Sequence, residues 1–369
     1  MVSPRASSTG ATIHEPYHLE WHHLHPEGTE AARAGVQRLA DLGSDLLCPS
    51  HGPVIGSRPR RALLLRLDGR LGRLAAARGS ACTGEPDRLA PEEVSGDGTV
   101  RLSPSLWRFG VNGYLLLSKT GEALAVDPQD QGLPHLDALL ARLGKPKVTA
   151  VLVTHHHLDH ANGVPALRRR GARAWLHPWV AEWLRKAGTG TDPWFDKLVP
   201  SFPIRGDRIW PVEGRWRWNE FTFEVAPSPG QTWWHCSFMT RVDGRRVMFS
   251  GDNFQPPSRW CGHGGFCAWN TSRLVEGYGR SARLVLRWRP EILACGHGTA
   301  FRFAPSHFRK VVAWAARAEK SLRDLCVHGD LDRDYYAPCR KAMGDLAASR
   351  PALRSALPGG GGQKMRGRR

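Results

Sequence analysis

The segment VLVTHHHLDHANG, residues 151–163, carries the side chains of this chain that are best suited to chemistry. Four candidate ligands, three imidazoles and one carboxylate, stand in the loop that is predicted to follow a buried strand: His155, His157, Asp159 and His160. In a loop, the first two are alternate residues and can converge on one cation, while the last two turn toward a second position close by. Imidazole nitrogen and carboxylate oxygen are ligands that Zn²⁺, Mn²⁺ or Fe²⁺ accepts. The sequence therefore predicts a site for a divalent metal at this loop.

The elements around this loop predict a layered α/β domain with the sheet inside. The apolar run at 148–154 is short and continuous, as in strands that a sheet buries on both faces. Upstream, apolar runs at 111–118 and 123–127 flank a glycine-containing turn and predict a β-hairpin, and leucines between 136 and 143 recur at helical spacing. Downstream, the pattern predicts a helix at 163–170, a strand at 172–177, antiparallel strands within 204–226, strands at 237–242 and 245–250, and a helical stretch from 272 that a strand at 292–295 interrupts. Such an alternation is typical of the α/β class.

His-x-His-x-Asp-His at the end of a strand resembles the signature of the metallo-β-lactamase fold superfamily, and the resemblance runs from about residue 105 to 315. Three further motifs follow in the family's order, each after a predicted strand: SPGQTWWHCSF at 228–238, RVMFSGDNF at 246–254 and LACGHGT at 293–299. The resemblance implies a four-layer αββα fold. It also implies that Asp252 bridges two metal ions and that His297 is a ligand of the second.

One position departs from the family's pattern. Gln231 stands where the family has the third imidazole ligand of the first metal. A neutral amide oxygen is a poorer ligand for Zn²⁺ than an imidazole nitrogen. Two arrangements stay open: His235, four residues further on, replaces the missing imidazole, which we favour, or Gln231 binds directly or through water and leaves a weakened or mononuclear site.

The resemblance implies a site for two divalent cations, taken as two Zn²⁺, with Mn²⁺ or Fe²⁺ as alternatives. The ligands of the first ion would be His155, His157 and His235 (or Gln231), those of the second Asp159, His160 and His297, and Asp252 would bind both. Asp159 is also the expected catalytic residue, because it would orient a metal-bound hydroxide. The implied activity is hydrolysis of a small-molecule ester, thioester, lactone or related bond.

Two other functions remain open at this point. Some proteins that share the fold use one iron ion for sulfur–dioxygen chemistry, so a mononuclear iron oxidoreductase of the persulfide-dioxygenase type is one alternative. The other is a degenerate, non-catalytic protein in which the lost histidine leaves only a binding or assembly role. Asn112 and Asp127 match early motifs of the family, and Asp127 is expected to orient a ligand or brace the metal loop.

An internal repeat lies near the start of the chain. LADLGSDLLCPSHGP at 39–53 parallels VLRWRPEILACGHGT at 285–299, and His51 falls on His297. This first copy resembles a bacterial group with tandem metallo-β-lactamase-like repeats, of which the first is truncated here, so His51 is expected to be a structural relic. The predicted domains are the tail-only remnant of an N-terminal repeat at 1–80, a linker at 81–100, a catalytic domain at 101–330, and a C-terminal helix with a basic disordered tail at 331–369.

The composition limits the classes of partner. The chain has 52 Lys and Arg against 34 Asp and Glu, a net charge of +18. Arg supplies 43 of these bases and is spread along the chain, which gives a diffuse positive field and no specific nucleic-acid patch. No apolar run approaches the length of a membrane span, the start lacks the hydrophobic segment of a signal peptide, and the eight cysteines show no paired spacing. We therefore expect a cytoplasmic enzyme with reduced thiols that acts on a small molecule, without a membrane partner; the sequence does not indicate its oligomeric state.

Overall fold

Nine stretches of the chain are described in the structure, a computed structural model: residues 26–48, 54–79, 87–144, 146–188, 200–209, 214–232, 234–254, 274–297 and 300–325. The predicted C-terminal segment at 331–369 and His51 lie outside the described residues. Within these stretches, no helix combines the length and the apolar character that crossing a membrane requires.

The helices, in chain order, are α1 (Pro26–Asp41), α2 (Ser57–Gly79), α3 (Leu133–Arg142), α4 (Leu158–Ala161), α5 (Val164–Arg169), α6 (Pro178–Lys186), α7 (Leu274–Trp288) and α8 (Pro305–Leu325). The strands are β1 (Leu46–Leu47), β2 (Ile55–Gly56), β3 (Glu93–Val94), β4 (Val100–Ser103), β5 (Leu106–Phe109), β6 (Gly113–Leu117), β7 (Glu122–Val126), β8 (Lys147–Val153), β9 (Arg173–Leu176), β10 (Arg208–Ile209), β11 (Gly214–Trp218), β12 (Phe221–Pro227), β13 (Cys236–Val242), β14 (Arg245–Gly251), β15 (Ile292–Cys295) and β16 (Phe301–Arg302). The predicted mixture of strands and helices is confirmed.

The described residues divide into two compact units. Unit 1 takes them from Met1–Leu89, Ser228–Trp233 and Asp252–Tyr336, and unit 2 takes them from Ala90–Pro227 and Trp234–Gly251. The boundaries predicted at 80, 100 and 330 remain predictions.

Unit 2 contains an eight-stranded mixed sheet in the order β10-β9-β8-β7-β6-β5-β4-β3. The pairs from β3–β4 to β6–β7 are antiparallel, whereas the pairs from β7–β8 to β9–β10 are parallel. Strand β8 has the sequence KVTAVLV, and its last four residues are fully buried, as the continuous apolar run predicts. The predicted hairpin is confirmed as β6 and β7, and the predicted helix is confirmed as α3, after which Gly144 takes a φ of +82°. The sheet thus delivers the end of β8, where the metal loop begins, to a buried position.

Strands β11 to β14 of unit 2 follow one another as antiparallel neighbours, which confirms the antiparallel strands predicted from the alternating pattern. The turn between β13 and β14 consists of Asp243 and Gly244, with φ of +48° and +82°. A two-residue hairpin turn needs positive φ at both positions, which Asp-Gly tolerates. The Asp243 carboxylate also accepts hydrogen bonds from the Ser103 hydroxyl and from the backbone N–H and hydroxyl of Ser105, at 2.7 to 2.8 Å.

Unit 1 contains the two copies of the predicted repeat. In the first repeat the order is α1–β1–β2–α2, and in the second repeat it is α7–β15–β16–α8. The two helices of each repeat pack against each other, and α2 also packs on α8. Leu64 and Leu71 of α2 are buried, as expected for a helix that docks on the rest of the chain through one apolar face. The derivation of the first repeat from a second metallo-β-lactamase-like domain remains a prediction.

Candidate metal centre

The metal loop starts directly after β8, and its four predicted ligands come together within unit 2. The ring centroid of His155 lies 4.5 Å from that of His157 and 4.1 Å from that of His160. One donor atom of His155 and one of His157 lie within 4.8 Å of each other, and the same holds for Asp159 and His160. The three imidazoles are buried, whereas the Asp159 side chain is 22% exposed. Asp159 is therefore the member of this group that solvent or a substrate can reach.

Asp127 braces this loop from the end of β7. Its carboxylate accepts hydrogen bonds from the backbone N–H and the hydroxyl of Thr154, both at 2.7 Å, and lies 3.0 Å from Nδ1 of His160. The N–H of Gly163 donates to the Pro128 carbonyl at 2.8 Å, and a Cβ at Gly163 would lie 2.5 Å from that oxygen. The two ends of the metal loop are thus held against the segment that carries Asp127, which fixes the His160 ring.

Asn112 holds the carboxylate of the loop. Its side-chain amide donates to the carbonyl oxygen and to Oδ2 of Asp159, both at 2.9 Å, and lies 3.3 Å from Nε2 of His160. Asn112 is buried and precedes β6. Asn112, which matches an early family motif, thus orients Asp159.

His235 lies beside His155 in unit 2. The two residues form an isolated antiparallel bridge, and their rings stack with centroids 5.0 Å apart and planes 20° apart. Gly251, at a φ of +51°, lies so close that a Cβ there would be 2.4 Å from Nε2 of His235 and 2.6 Å from the Thr154 hydroxyl. The structure therefore places His235 against the metal loop, and its role as a ligand remains a proposal.

The second group of donors lies in unit 1. The side-chain amide of Gln231 donates to Oδ2 of Asp252 at 2.8 Å, and Nε2 of His297 lies 3.3 Å from the same oxygen. The side chain of Asn253 accepts from the Gln231 backbone N–H at 3.0 Å and donates to the Ser228 carbonyl. Asp252 and Gln231 are buried, and His297 is 24% exposed. Gln231 thus acts on Asp252 as a hydrogen-bond donor.

The chemistry of these donors fits a divalent cation. Each unit buries at least one carboxylate beside imidazole nitrogens, and a buried charge requires a partner of opposite sign or hydrogen bonds. Imidazoles and carboxylates arranged in this way, with Asp127 and Asn112 holding them from behind, are the usual first ligands and orienting partners of Zn²⁺.

The sequence matches the model of the family described as "Metallo-beta-lactamase superfamily" over residues 108–297, just over half of the chain. The chain belongs to the metallo-beta-lactamase superfamily. Its relatives with curated names include hydroxyacylglutathione hydrolases of Albidiferax ferrireducens, 35% identical over 35% of this chain and 42% of that protein, and of Xylella fastidiosa, 29% identical over 50% of this chain and 60% of that protein. The match thus spans about half the length of these relatives.

Solved structures of metallo-beta-lactamases resemble this chain in fold. A metallo-beta-lactamase of Cronobacter sakazakii, the S60 mutant with a HARLDQ motif, superposes with a TM-score of 0.51 at 19% identity, over 63% of this chain and 96% of that chain. This likeness confirms the predicted fold class.

Two polar residues of the candidate site were not predicted. Thr154 links Asp127 to the loop, and its hydroxyl lies 3.0 Å from Nδ1 of His155. Asn253 holds the backbone of Gln231. Each stands next to a motif residue at the end of a strand, and that position is the signal that could have identified them.

Neighbouring residues of the metallo-beta-lactamase motifs are packing residues. The His156 ring lies 5.9 Å from Trp234 and 6.3 Å from Trp183, and Trp234 is buried, so it belongs to the core. Cys236 donates a hydrogen bond to the Thr154 carbonyl. Burial, and then the nearby carboxylate of Asp127, raise the pKa of the Cys236 thiol well above its ordinary value, which keeps it protonated.

Proposed function

We propose that the chain is a metal-dependent hydrolase that cleaves a small-molecule thioester, with esters and lactones as related substrates. The observation that carries the proposal is the buried cluster of three imidazoles beside the partly exposed carboxylate of Asp159. Membership of the metallo-beta-lactamase superfamily supports hydrolysis. The hydroxyacylglutathione hydrolases among the relatives favour a thioester, because an acyl group on glutathione is bound through sulfur.

The proposed ligands form two sets that share one carboxylate. The first cation would be held by His155, His157 and His235, with Gln231 as the alternative to His235, the second by Asp159, His160 and His297, and Asp252 would serve both. We propose two Zn²⁺, with Mn²⁺ or Fe²⁺ as alternatives. Bound divalent cations would supply an acidified water and a positive charge for the oxyanion of the acyl carbon.

Three residues of the chain have separate proposed roles in hydrolysis. Asp159 is the proposed catalytic residue, since its side chain is accessible and can accept a hydrogen bond from the attacking water. Asn112 keeps one Asp159 oxygen turned toward itself through its amide, which orients the other. Asp127 fixes the His160 ring through Nδ1 and leaves Nε2 for a ligand role.

Metal analysis together with turnover tests this proposal. The purified chain should contain zinc or manganese and should hydrolyse an acylglutathione thioester. His157→Ala and Asp159→Ala should each lose most of the activity and part of the bound metal, because each removes a direct ligand. His135→Ala, a histidine on α3 outside the cluster, is the matched control and should retain both. Unchanged metal content and turnover in both site variants would refute the ligand assignment.

Two other results would point to the alternatives. A content of one iron per chain, together with oxygen consumption in the presence of a persulfide, would favour the iron oxidoreductase over the hydrolase. A chain without metal after mild purification would favour the non-catalytic protein.

A further inference from the structure

The two repeats of unit 1 have the same local structure in the same register. Each has a two-stranded antiparallel hairpin between two helices, and every residue of the second hairpin carries a number 246 higher than its counterpart in the first: Leu46↔Gly56 and Leu47↔Ile55 correspond to Ile292↔Arg302 and Leu293↔Phe301. Gly43 and Arg289, which are counterparts, both take a positive φ after the preceding helix, at +62° and +48°. The hairpin of the first repeat is therefore equivalent to that of the second residue by residue, and each hairpin stands between two helices.

The two repeats differ in what they bury. Five large apolar side chains of the first repeat are 38% to 69% exposed, whereas their counterparts in the second repeat are at most 8% exposed. The pairs are Leu39 and Val285, Leu42 and Trp288, Leu46 and Ile292, Val54 and Ala300, and Leu65 and Val311. The first repeat thus keeps the apolar face that the second repeat buries, and we call these five residues of the first repeat the open face.

The size and the edge of the open face fit a protein interface. Five such side chains together expose apolar surface on the order of 400–500 Å², the range of the largest apolar patch on a typical monomer, and such a patch is often functional. Among the described residues, β1 pairs only with β2, so its other edge presents unpaired backbone groups beside Leu46. This apolar area alone is about half of the roughly 800 Å² per partner that a standard interface buries.

The charges around the open face permit self-association despite the net charge of +18. Asp41 precedes Leu42 and Asp45 precedes Leu46, while Arg38 precedes Leu39 and Arg66 follows Leu65; all four charged residues are exposed. A two-fold axis brings the same patch onto both sides of an interface, so acids of one copy can face bases of the other. In addition, α2 and α8, the second helices of the two repeats, pack against each other within one chain.

We propose that the open face is the interface of a homodimer, in which the first repeats of two copies pack their leucines together and pair their β1 edges in antiparallel fashion. This proposal is independent of the hydrolase activity, because none of the proposed ligands lies in the first repeat.

The molar mass of the purified full-length chain in solution tests the proposal. Light scattering during size exclusion, over a wide range of concentration, should give twice the 40.9 kDa of one chain. Leu42→Asp with Leu46→Asp should weaken the dimer on the order of 100-fold or more, since each change acts twice across the axis. Both side chains are exposed in one copy, so the variant should keep its far-ultraviolet circular dichroism. Val94→Asp, on the exposed Val94 of β3, is the matched control and should stay dimeric.

Cys48 gives a second measurement, because it is exposed and directly follows β1. A short bismaleimide should link two copies through it, and peptide mapping of the covalent dimer should find a link that joins Cys48 of one copy to Cys48 of the other. A 40.9 kDa monomer at every concentration would overturn the proposal and leave the open face to a different partner. Equal dissociation by Val94→Asp would overturn it as well.

Discussion

Replacement of Asp127 by alanine should be one of the most damaging single changes in the chain. The Asp127 carboxylate accepts two hydrogen bonds of 2.7 Å from Thr154, and the residue is 2% exposed. A hydrogen bond to a charged group contributes about 1.5–3 kcal/mol, and a buried donor left without an acceptor adds its desolvation cost. Asp127 also has a φ of +48°, where alanine costs about 1–2 kcal/mol. We therefore expect Asp127→Ala to lower the free energy of unfolding by about 4–6 kcal/mol.

Urea unfolding of three variants separates these contributions. Asp127→Gly removes the same hydrogen bonds without the backbone strain, so it should be about 1–2 kcal/mol more stable than Asp127→Ala. Asp127→Asn keeps an acceptor and tolerates positive φ, so it should lose only about 1–2 kcal/mol. Because its amide cannot reproduce the carboxylate contact with His160, the same variant should still bind metal at least about 10-fold more weakly. The reasoning is refuted if Asp127→Ala and Asp127→Asn are equally stable, or if both cost less than about 1 kcal/mol.

Three further changes test other parts of the structure. If His235 is the replacement ligand, His235→Ala should lose about half of the bound metal of a two-ion site, and Gln231→His in the same chain should restore it; full occupancy of His235→Ala, measured by elemental analysis, would assign His235 to packing. Gly251→Ala combines positive φ with a Cβ 2.4 Å from His235, so thermal or urea unfolding should show a loss of about 2–4 kcal/mol. The control Gly244→Ala, at a φ of +82° with open space around it, should lose only the backbone part. Burial raises the pKa of the Asp243 carboxyl, but the hydrogen bonds from two serines lower it more, to below the ordinary 3.8. The ionised Asp243 carboxylate therefore stabilises the fold at a pH above 3.8, and this stabilisation is lost as the pH falls through the lowered pKa. In urea unfolding, the stability of Asp243→Asn should accordingly depend less on pH below about pH 4.

The local part of the fold could be predicted because short-range patterns determine it. The run at 148–154 became β8, and the leucines between 136 and 143 became α3, since alternation, helical spacing and turn glycines act over a few residues. The metal loop is equally local, because all four of its predicted ligands stand within six consecutive residues.

The supporting contacts could not be predicted, because they join residues that are distant in sequence. The two hydrogen bonds from Thr154 to Asp127 span 27 residues, and those from Ser103 and Ser105 to Asp243 span about 140. The sequence predicts a duplication through its matching letters. It could not show that the first repeat leaves its apolar face open. Burial depends on what packs against a segment, and a buried and an exposed copy can have the same pattern of apolar residues.

The shared register of the two hairpins also bears on the order in which the chain folds. Residues 39–56 are synthesised long before residues 285–302, and both segments carry apolar side chains at the same positions. During synthesis the earlier copy is therefore present first, and it can compete with the later copy for the same packing partners. Duplicated segments in one chain are a known source of such misassembly. In this chain the competition is uneven, since Phe301 and Trp288 of the second repeat offer more apolar surface than their counterparts Ile55 and Leu42. The aromatic residues of the later copy thus give it the advantage in the exchange.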